Sequence, residues 1–123
     1  MRAITAALIA TAALSFAAPT HAQDAAAGER VFKIQCSACH TVIPGKNLVG
    51  PSLHGVVGRT SGQVAGFRYS EANKKAALTF DAATLDNYLT NPKEVIPGTT
   101  MIYAGVKDAQ QRKNLIAYLE TLR

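Results

Sequence analysis

The chain has 123 residues, of which 48% are hydrophobic and 17% are charged. This length allows one domain and excludes a multidomain enzyme, and the composition is typical of a folded chain rather than a disordered one. The formal net charge is +5. Lysine and arginine residues are scattered singly or in pairs without interleaved aromatic residues, so the charge favours acidic protein partners and not nucleic acid.

The first 22 residues have the pattern of a secretory signal peptide. Arg2 supplies a positive charge, residues 3–18 are uncharged and small or apolar, and small residues lead up to Ala22. The apolar run is short, rich in alanine and ended by Pro19, which disfavours an uncleaved membrane anchor. We predict cleavage after Ala22, export to the periplasm and a folded domain over residues 23–123.

Four helices are predicted in this domain, each directly after a residue whose side chain caps helices. The capping residues and spans are Asp24 with a helix to about Cys36, Ser70 with residues 71–76, Asp81 with a helix ended by Asn91-Pro92, and Asp108 with the last helix. The third helix ends there because a residue before proline is pushed out of helical geometry. The pattern predicts an all-α domain.

Two long loops separate these helices. Residues 44–66 hold many of the glycines and prolines and show no strand-like alternation, and residues 95–105 form the second loop. Loops of this length are uncommon in a compact domain unless they surround something. Because the chain has no tryptophan and only 7% aromatic residues, a large bound group is expected to fill the centre.

The two cysteines, Cys36 and Cys39, lie three positions apart, and His40 follows the second. Thiols at this spacing in a helical turn reach two vinyl groups on one side of a porphyrin, and the adjacent imidazole reaches the iron, as in c-type haem attachment. A disulfide, a thioredoxin-like redox pair and a zinc site are the alternatives. The helical pattern disfavours the redox pair, zinc lacks a clear fourth ligand, and the export pattern favours haem.

A sixth iron ligand is predicted in the second long loop. Met101 is the one methionine outside the leader, and Pro97 and Gly98 stiffen and turn the chain just before it. A thioether opposite an imidazole favours Fe(II) and raises the reduction potential, as an electron carrier requires. On the residues alone, His54 is the alternative ligand.

These motifs make the chain similar to class I cytochrome c, above all to the mitochondrial protein and its soluble bacterial relatives. The resemblance runs from Gly28 to Leu122. It rests on residues 36–40, 50–55, 58–59, 69–74 and 91–101 with 115–119, in the family's order. It implies an all-α fold of about four to five helices with long loops around one haem c, attached covalently through Cys36 and Cys39, with His40 and Met101 as iron ligands.

The resemblance also implies roles for other residues. Gly28 and Phe32 match the position where the first helix crosses the last, and His54 matches a surface residue that is not a ligand. The implied haem contacts are Pro51 as hydrogen-bond acceptor for the axial histidine, Arg59, Tyr69 and Thr99 as propionate partners, and Asn73 and Tyr88 as polar groups near Met101.

Three positions depart from the family pattern. Phe80 stands where a tryptophan commonly donates to a propionate, so one donor is missing. Gln35 and Thr100 replace lysines commonly found near the exposed haem edge. These replacements predict a thinner ring of positive charge there, with Lys93 and Lys107 among the lysines that compensate.

The function implied is that of a monomeric electron carrier, not an enzyme. Its partners would be redox proteins such as a cytochrome bc-type complex and a terminal oxidase, a reductase or a photosynthetic reaction centre, with transient docking at the membrane surface. The alternative is a haem enzyme or a gas-binding protein in which Met101 is not bound and the iron is open to peroxide, nitric oxide or carbon monoxide.

Overall fold

The computed structural model describes residues 23–123, which form five α-helices joined by loops, and the predicted leader lies outside this range. The helices are α1 (Ala25–Gln35), α2 (Glu71–Ala76), α3 (Ala82–Thr90), α4 (Pro92–Val95) and α5 (Ala109–Glu120). In the described range, strand-like pairing is limited to a single bridge between Thr60 and Thr79. The predicted all-α fold is confirmed. None of the helices within residues 23–123 has the length and apolar character needed to cross a membrane.

The four predicted helices begin at their predicted caps. In each, the capping side chain accepts a hydrogen bond from a backbone N–H of the first turn, which the helix itself leaves unpaired. The bonds are Ala27 to Asp24 at 3.0 Å, Asn73 to Ser70 at 3.1 Å, Thr84 to Asp81 at 2.8 Å and Gln111 to Asp108 at 2.8 Å. These helix starts are therefore encoded within a few residues of sequence.

The short helix α4 is not predicted by the sequence pattern. Pro92 ends α3, as expected, but it also occupies the first position of α4, where its missing N–H is not needed. The N–H of Ile96 donates to the Pro92 carbonyl at 2.9 Å and completes the turn. Both Pro92 and Ile96 are buried, so packing against the core stabilises a helix too short to form alone.

Helices α1 and α5 cross at Gly28. A Cβ at this position would overlap the backbone carbonyl oxygen of Asn114, so only glycine allows the two backbones to approach this closely. One turn further along α1, the ring of Phe32 packs on the ring of Tyr118, with centroids 5.8 Å apart. The crossing thereby fixes the orientation of α1 and, with it, the position of Cys36, the residue at its C-terminal cap.

The buried core lies between α3, α5 and the loop after α4. Its side chains include Leu85 and Leu89 of α3, Ile96 and Val106 of the loops, and Leu115, Ile116 and Leu119 of α5. Leu85, Leu89 and Leu119 also line a cleft that opens beside the core. The apolar interior is thus continuous with the walls of that cleft.

Candidate functional site

The cleft has a volume of about 380 Å³ and is bounded by the end of α1, both long loops and α3. Most of its wall is apolar, from side chains such as Leu53, Val56 and Phe80. Val56 and Phe80 are both buried. A flat, largely apolar ring bound between these walls would complete the core that the side chains leave open.

The Cys-x-x-Cys-His motif extends α1 by one further turn. The N–H groups of Cys39 and His40 both donate to the carbonyl of Cys36, at 3.1 and 2.9 Å. This turn places both sulfurs and the imidazole on the wall of the cleft. The local chain geometry therefore provides the arrangement that the spacing predicts.

The cysteines are free thiols in this structure, which does not support the disulfide alternative. Burial, with a smaller contribution from Cys39, raises the pKa of Cys36 to about 11. Burial therefore disfavours the thiolate, the form that acts as the nucleophile of a redox pair. Within residues 23–123, no group of three or more His, Cys, Asp and Glu side chains is arranged to hold a metal ion. Zinc therefore gains no support either.

The imidazole of His40 is oriented by the loop that follows it. Its Nδ1 lies 2.7 Å from the carbonyl oxygen of Pro51, and because a carbonyl only accepts, Nδ1 carries the proton. Burial lowers the pKa of His40, opposed in part by the bond to Pro51. The ring is therefore neutral at pH 7 with a lone pair on Nε2, the form that binds a metal.

Gly50 is a site residue that the sequence analysis missed. A Cβ there would lie 2.6 Å from Nδ1 and 2.8 Å from Nε2 of His40, so the backbone of Gly50 lies directly against the ring. Its N–H donates to the carbonyl of Cys39 at 2.8 Å. Gly50 and Pro51 thus hold the imidazole by contact and by hydrogen bond. The adjacent Gly-Pro pair was the available signal, but the contact itself depends on how the loop folds back.

Met101 lines the cleft from the loop after α4. The hydroxyl of Tyr88 donates to its Sδ at 3.3 Å, and the Met101 N–H donates to the Thr99 hydroxyl, also at 3.3 Å. Burial raises the pKa of Tyr88 to about 12, so its phenol stays protonated and remains a donor. The thioether is therefore held at a defined place by α3.

The polar part of the lining includes one half-buried cation, Arg59. Its guanidinium donates to the carbonyls of Ser52 and His54, at 2.9 and 3.4 Å. Burial lowers its pKa, and within the described residues no carboxylate forms an ion pair with it. A half-buried guanidinium favours the binding of an anionic group nearby. The carboxylates of a haem are groups of this kind.

Two other polar residues of the lining are held by the loops around them. The Tyr69 hydroxyl accepts from the N–H of Val64 at 3.2 Å. The Asn73 side-chain oxygen accepts from the Ser70 hydroxyl at 3.0 Å. Each side chain is thus fixed by a neighbour in sequence and keeps further hydrogen-bonding capacity for a bound group.

All ten predicted site residues line this one cleft. They are Cys36, Cys39, His40, Pro51, Arg59, Tyr69, Asn73, Tyr88, Thr99 and Met101. His54, the alternative iron ligand, is not among the lining residues. The individual roles of the eight residues other than the two cysteines stay predictions, but a covalently held, mainly apolar group with anionic substituents fits the wall that the ten residues form.

The three departures from the family pattern also lie on the cleft wall. Phe80 is buried and packs on Tyr88 with ring centroids 5.2 Å apart, so it fills space without offering a donor. Gln35 and Thr100 are neutral. The side chains at these positions therefore supply shape rather than charge.

Comparison with known proteins identifies the class that this fold and site define. The family model described as Cytochrome c matches residues 25–123. The chain is 54% identical over 104 residues to cytochrome c2 of Blastochloris viridis, covering 84% of this chain and 81% of the relative. It is 49% identical over 100 residues to cytochrome c of Nigella damascena, covering 80% and 90%. The solved structure of cytochrome cH from Methylobacterium extorquens superposes with a TM-score of 0.75 at 46% identity, covering 80% of this chain and 98% of that one.

The chain belongs to the cytochrome c family, and its fold is that of class I. It therefore carries one haem c, bound covalently through Cys36 and Cys39. Cytochromes c are electron carriers rather than enzymes and act together with other redox proteins. The prediction of a single-haem electron carrier is confirmed at this level.

Proposed function

We propose that the protein is exported to the periplasm and shuttles single electrons between membrane or periplasmic redox proteins, with His40 and Met101 as the axial ligands of its haem. The observation that carries the proposal is that one cleft is lined by two potential iron ligands, each already oriented by a hydrogen bond. His40 presents Nε2 because Nδ1 is bonded to Pro51, and Met101 presents a thioether oriented by Tyr88. With His40 and Met101 both bound, the iron would have no open position for a substrate or gas.

Bound haem supplies reversible one-electron exchange at its iron. The residues of this chain would keep the surroundings of the haem the same whether its iron is Fe(II) or Fe(III). The apolar wall excludes water, the Pro51 carbonyl keeps His40 oriented, and the Tyr88 phenol stays bonded to Met101 Sδ. Small rearrangement on gain or loss of an electron is what a fast carrier requires.

The partner surface is the cleft mouth, formed by Gln35, Val49, Thr100 and Ile102, which all line the cleft. Val49 is 78% exposed and Ile102 93%, so the centre of this surface is apolar. Lys93 and Lys107 line a surface pocket next to Ile102. An apolar centre beside positive charge favours weak, oriented docking on an acidic surface.

The proposed partners are a cytochrome bc-type complex as donor and a terminal oxidase, a reductase or a photosynthetic reaction centre as acceptor. The leader pattern of residues 1–22 supports export, and the relatives named cytochrome c2 and cytochrome cH support a bacterial carrier of this kind. Transient contacts with both partners fit a monomer, since the same haem edge has to serve each in turn.

The proposal is tested by the optical spectrum and mass of the exported protein. We expect a mass equal to residues 23–123 plus one haem, a low-spin spectrum with the weak far-red ferric band of thioether ligation, and no binding of carbon monoxide to the reduced protein. A missing band together with rapid carbon monoxide binding would instead favour the haem enzyme or gas-binding alternative.

Electron transfer to an isolated partner complex is expected to slow about tenfold between 10 and 200 mM salt, because exposed charges are screened beyond about a Debye length. Replacing Lys93 with glutamine should weaken this dependence. Lys33→Gln is the matched control, because Lys33 is already paired with Glu29 at 2.7 Å. The rate is measured by stopped-flow, and a rate independent of salt would contradict docking by charge.

A further inference from the structure

The loop that carries Met101 is tied to α1 across the cleft mouth. Tyr103, two residues after Met101, donates its hydroxyl to Oε1 of Gln35 at 2.5 Å. Gln35 is the last residue of α1 and directly precedes Cys36. This hydrogen bond therefore joins the neighbour of one haem-attachment residue to the segment next to the proposed thioether ligand.

The Gln35 side chain also forms a hydrogen bond to α5. Its Nε2 donates to Oε1 of Gln111 on α5 at 3.5 Å. Gln35 thus connects the Met101 loop to both helices of the α1–α5 crossing. All three side chains are uncharged at neutral pH, so this connection does not depend on an ion pair.

Segment 102–105 packs partly against the core through Tyr103, and the backbone of Gly105 lies against the end of α3, but the segment forms few other hydrogen bonds. No backbone N–H or carbonyl of these four residues forms a hydrogen bond to another residue of the described range. The next anchor along the chain is Val106, whose N–H donates to Leu89 at 2.7 Å and whose carbonyl accepts from Arg112 at 2.9 Å. Ile102 is 93% exposed, so packing of its side chain does not hold the segment either.

We propose that Tyr103 and Gln35 are positioning residues for Met101. Their hydrogen bond holds segment 102–105 over the cleft mouth and thereby sets how often the loop moves away and takes the thioether off the iron. This inference rests on the proposed ligation by Met101. It assigns to Gln35 a role other than the positive charge that the family commonly places there.

The test measures how fast imidazole binds to the ferric holoprotein. At saturating imidazole the binding rate is limited by departure of Met101, so it reports opening of the loop. Tyr103→Phe removes only the hydroxyl, and we expect it to raise this limiting rate about 3- to 10-fold, the range for loss of one hydrogen bond. Gln35→Leu should raise it by a similar factor.

The matched control is Tyr118→Phe, which removes the same group from a tyrosine that does not line the cleft. Its rate should equal that of the wild type. The double variant Tyr103→Phe with Gln35→Leu should be no faster than the faster single variant, because the two changes remove one shared bond. Additive acceleration would overturn the pairing.

Two failures are distinguishable in the same experiment. If the variants at Tyr103 and Gln35 show the far-red band and bind imidazole as fast as the wild type, Met101 ligation stands and the positioning role is overturned. If the wild type lacks the band and binds imidazole as fast as Met101→Ala, the proposed ligation itself is wrong. Equal midpoints of guanidinium unfolding for the wild type and Tyr103→Phe would show that an accelerated rate reflects local opening.

Discussion

Replacing Met101 with alanine is expected to lower the reduction potential by an amount on the order of tenths of a volt, because axial ligands shift haem potentials within a span of about 0.8 V. The thioether favours Fe(II), and its loss leaves water or no ligand in its place. The far-red ferric band should vanish, and carbon monoxide should bind the reduced variant readily. Potentiometry and carbon monoxide titration measure both effects.

The matched control is Ile102→Ala, a truncation at the next position of the same loop. Ile102 is 93% exposed, so its removal should leave the potential and the band nearly unchanged. An unchanged potential in Met101→Ala would mean that another group occupies the sixth position. The comparison separates loss of the ligand from a general loosening of the loop.

Replacing Gly28 with alanine is expected to destabilise the protein by about 3 kcal/mol. The added Cβ would overlap the carbonyl oxygen of Asn114 and lie 2.9 Å from Cβ of Tyr118. Because the obstacle is backbone, no rotation of a side chain relieves it, and α1 has to move away from α5. Guanidinium unfolding of the holoprotein, followed by far-ultraviolet circular dichroism, measures the change.

Ala26→Val is the control, since Ala26 is exposed on the same helix. Its effect should stay within about 0.5 kcal/mol, as for most surface substitutions. Helix propensity alone predicts the opposite sign for Gly28→Ala, a gain of about 1 kcal/mol. A stabilised variant would therefore show that the helices do not approach as closely as the structure indicates.

The predictions for Met101 and Gly28 both depend on how α1 lies relative to the loop that carries Met101. The crossing at Gly28 directs α1 toward the cleft, and α1 ends at the cysteine that holds the haem. A shift of α1 would move Cys36 relative to the loop that carries Met101. We therefore expect Gly28→Ala also to weaken the far-red band, an effect that a purely local loss of stability would not produce.

Much of the architecture is readable in short stretches of the sequence. Asp24, Ser70, Asp81 and Asp108 begin their helices because each side chain accepts a hydrogen bond from the N–H three residues later. The haem-attachment motif is equally local, since one turn of chain brings Cys36, Cys39 and His40 together. The helix α4 cannot be predicted from local sequence, because four residues form a helix only when the core packs against them.

The sequence by itself determined the helix starts, the covalent attachment of haem and the choice of Met101 as candidate ligand, since each depends on residues close together in the chain. Only the tertiary structure decided that Gly50 lies against His40 and that Tyr103 bonds Gln35, 68 positions away. The physical reason is that such contacts depend on how the loops and helices pack in space, and neither residue type nor local spacing specifies that packing.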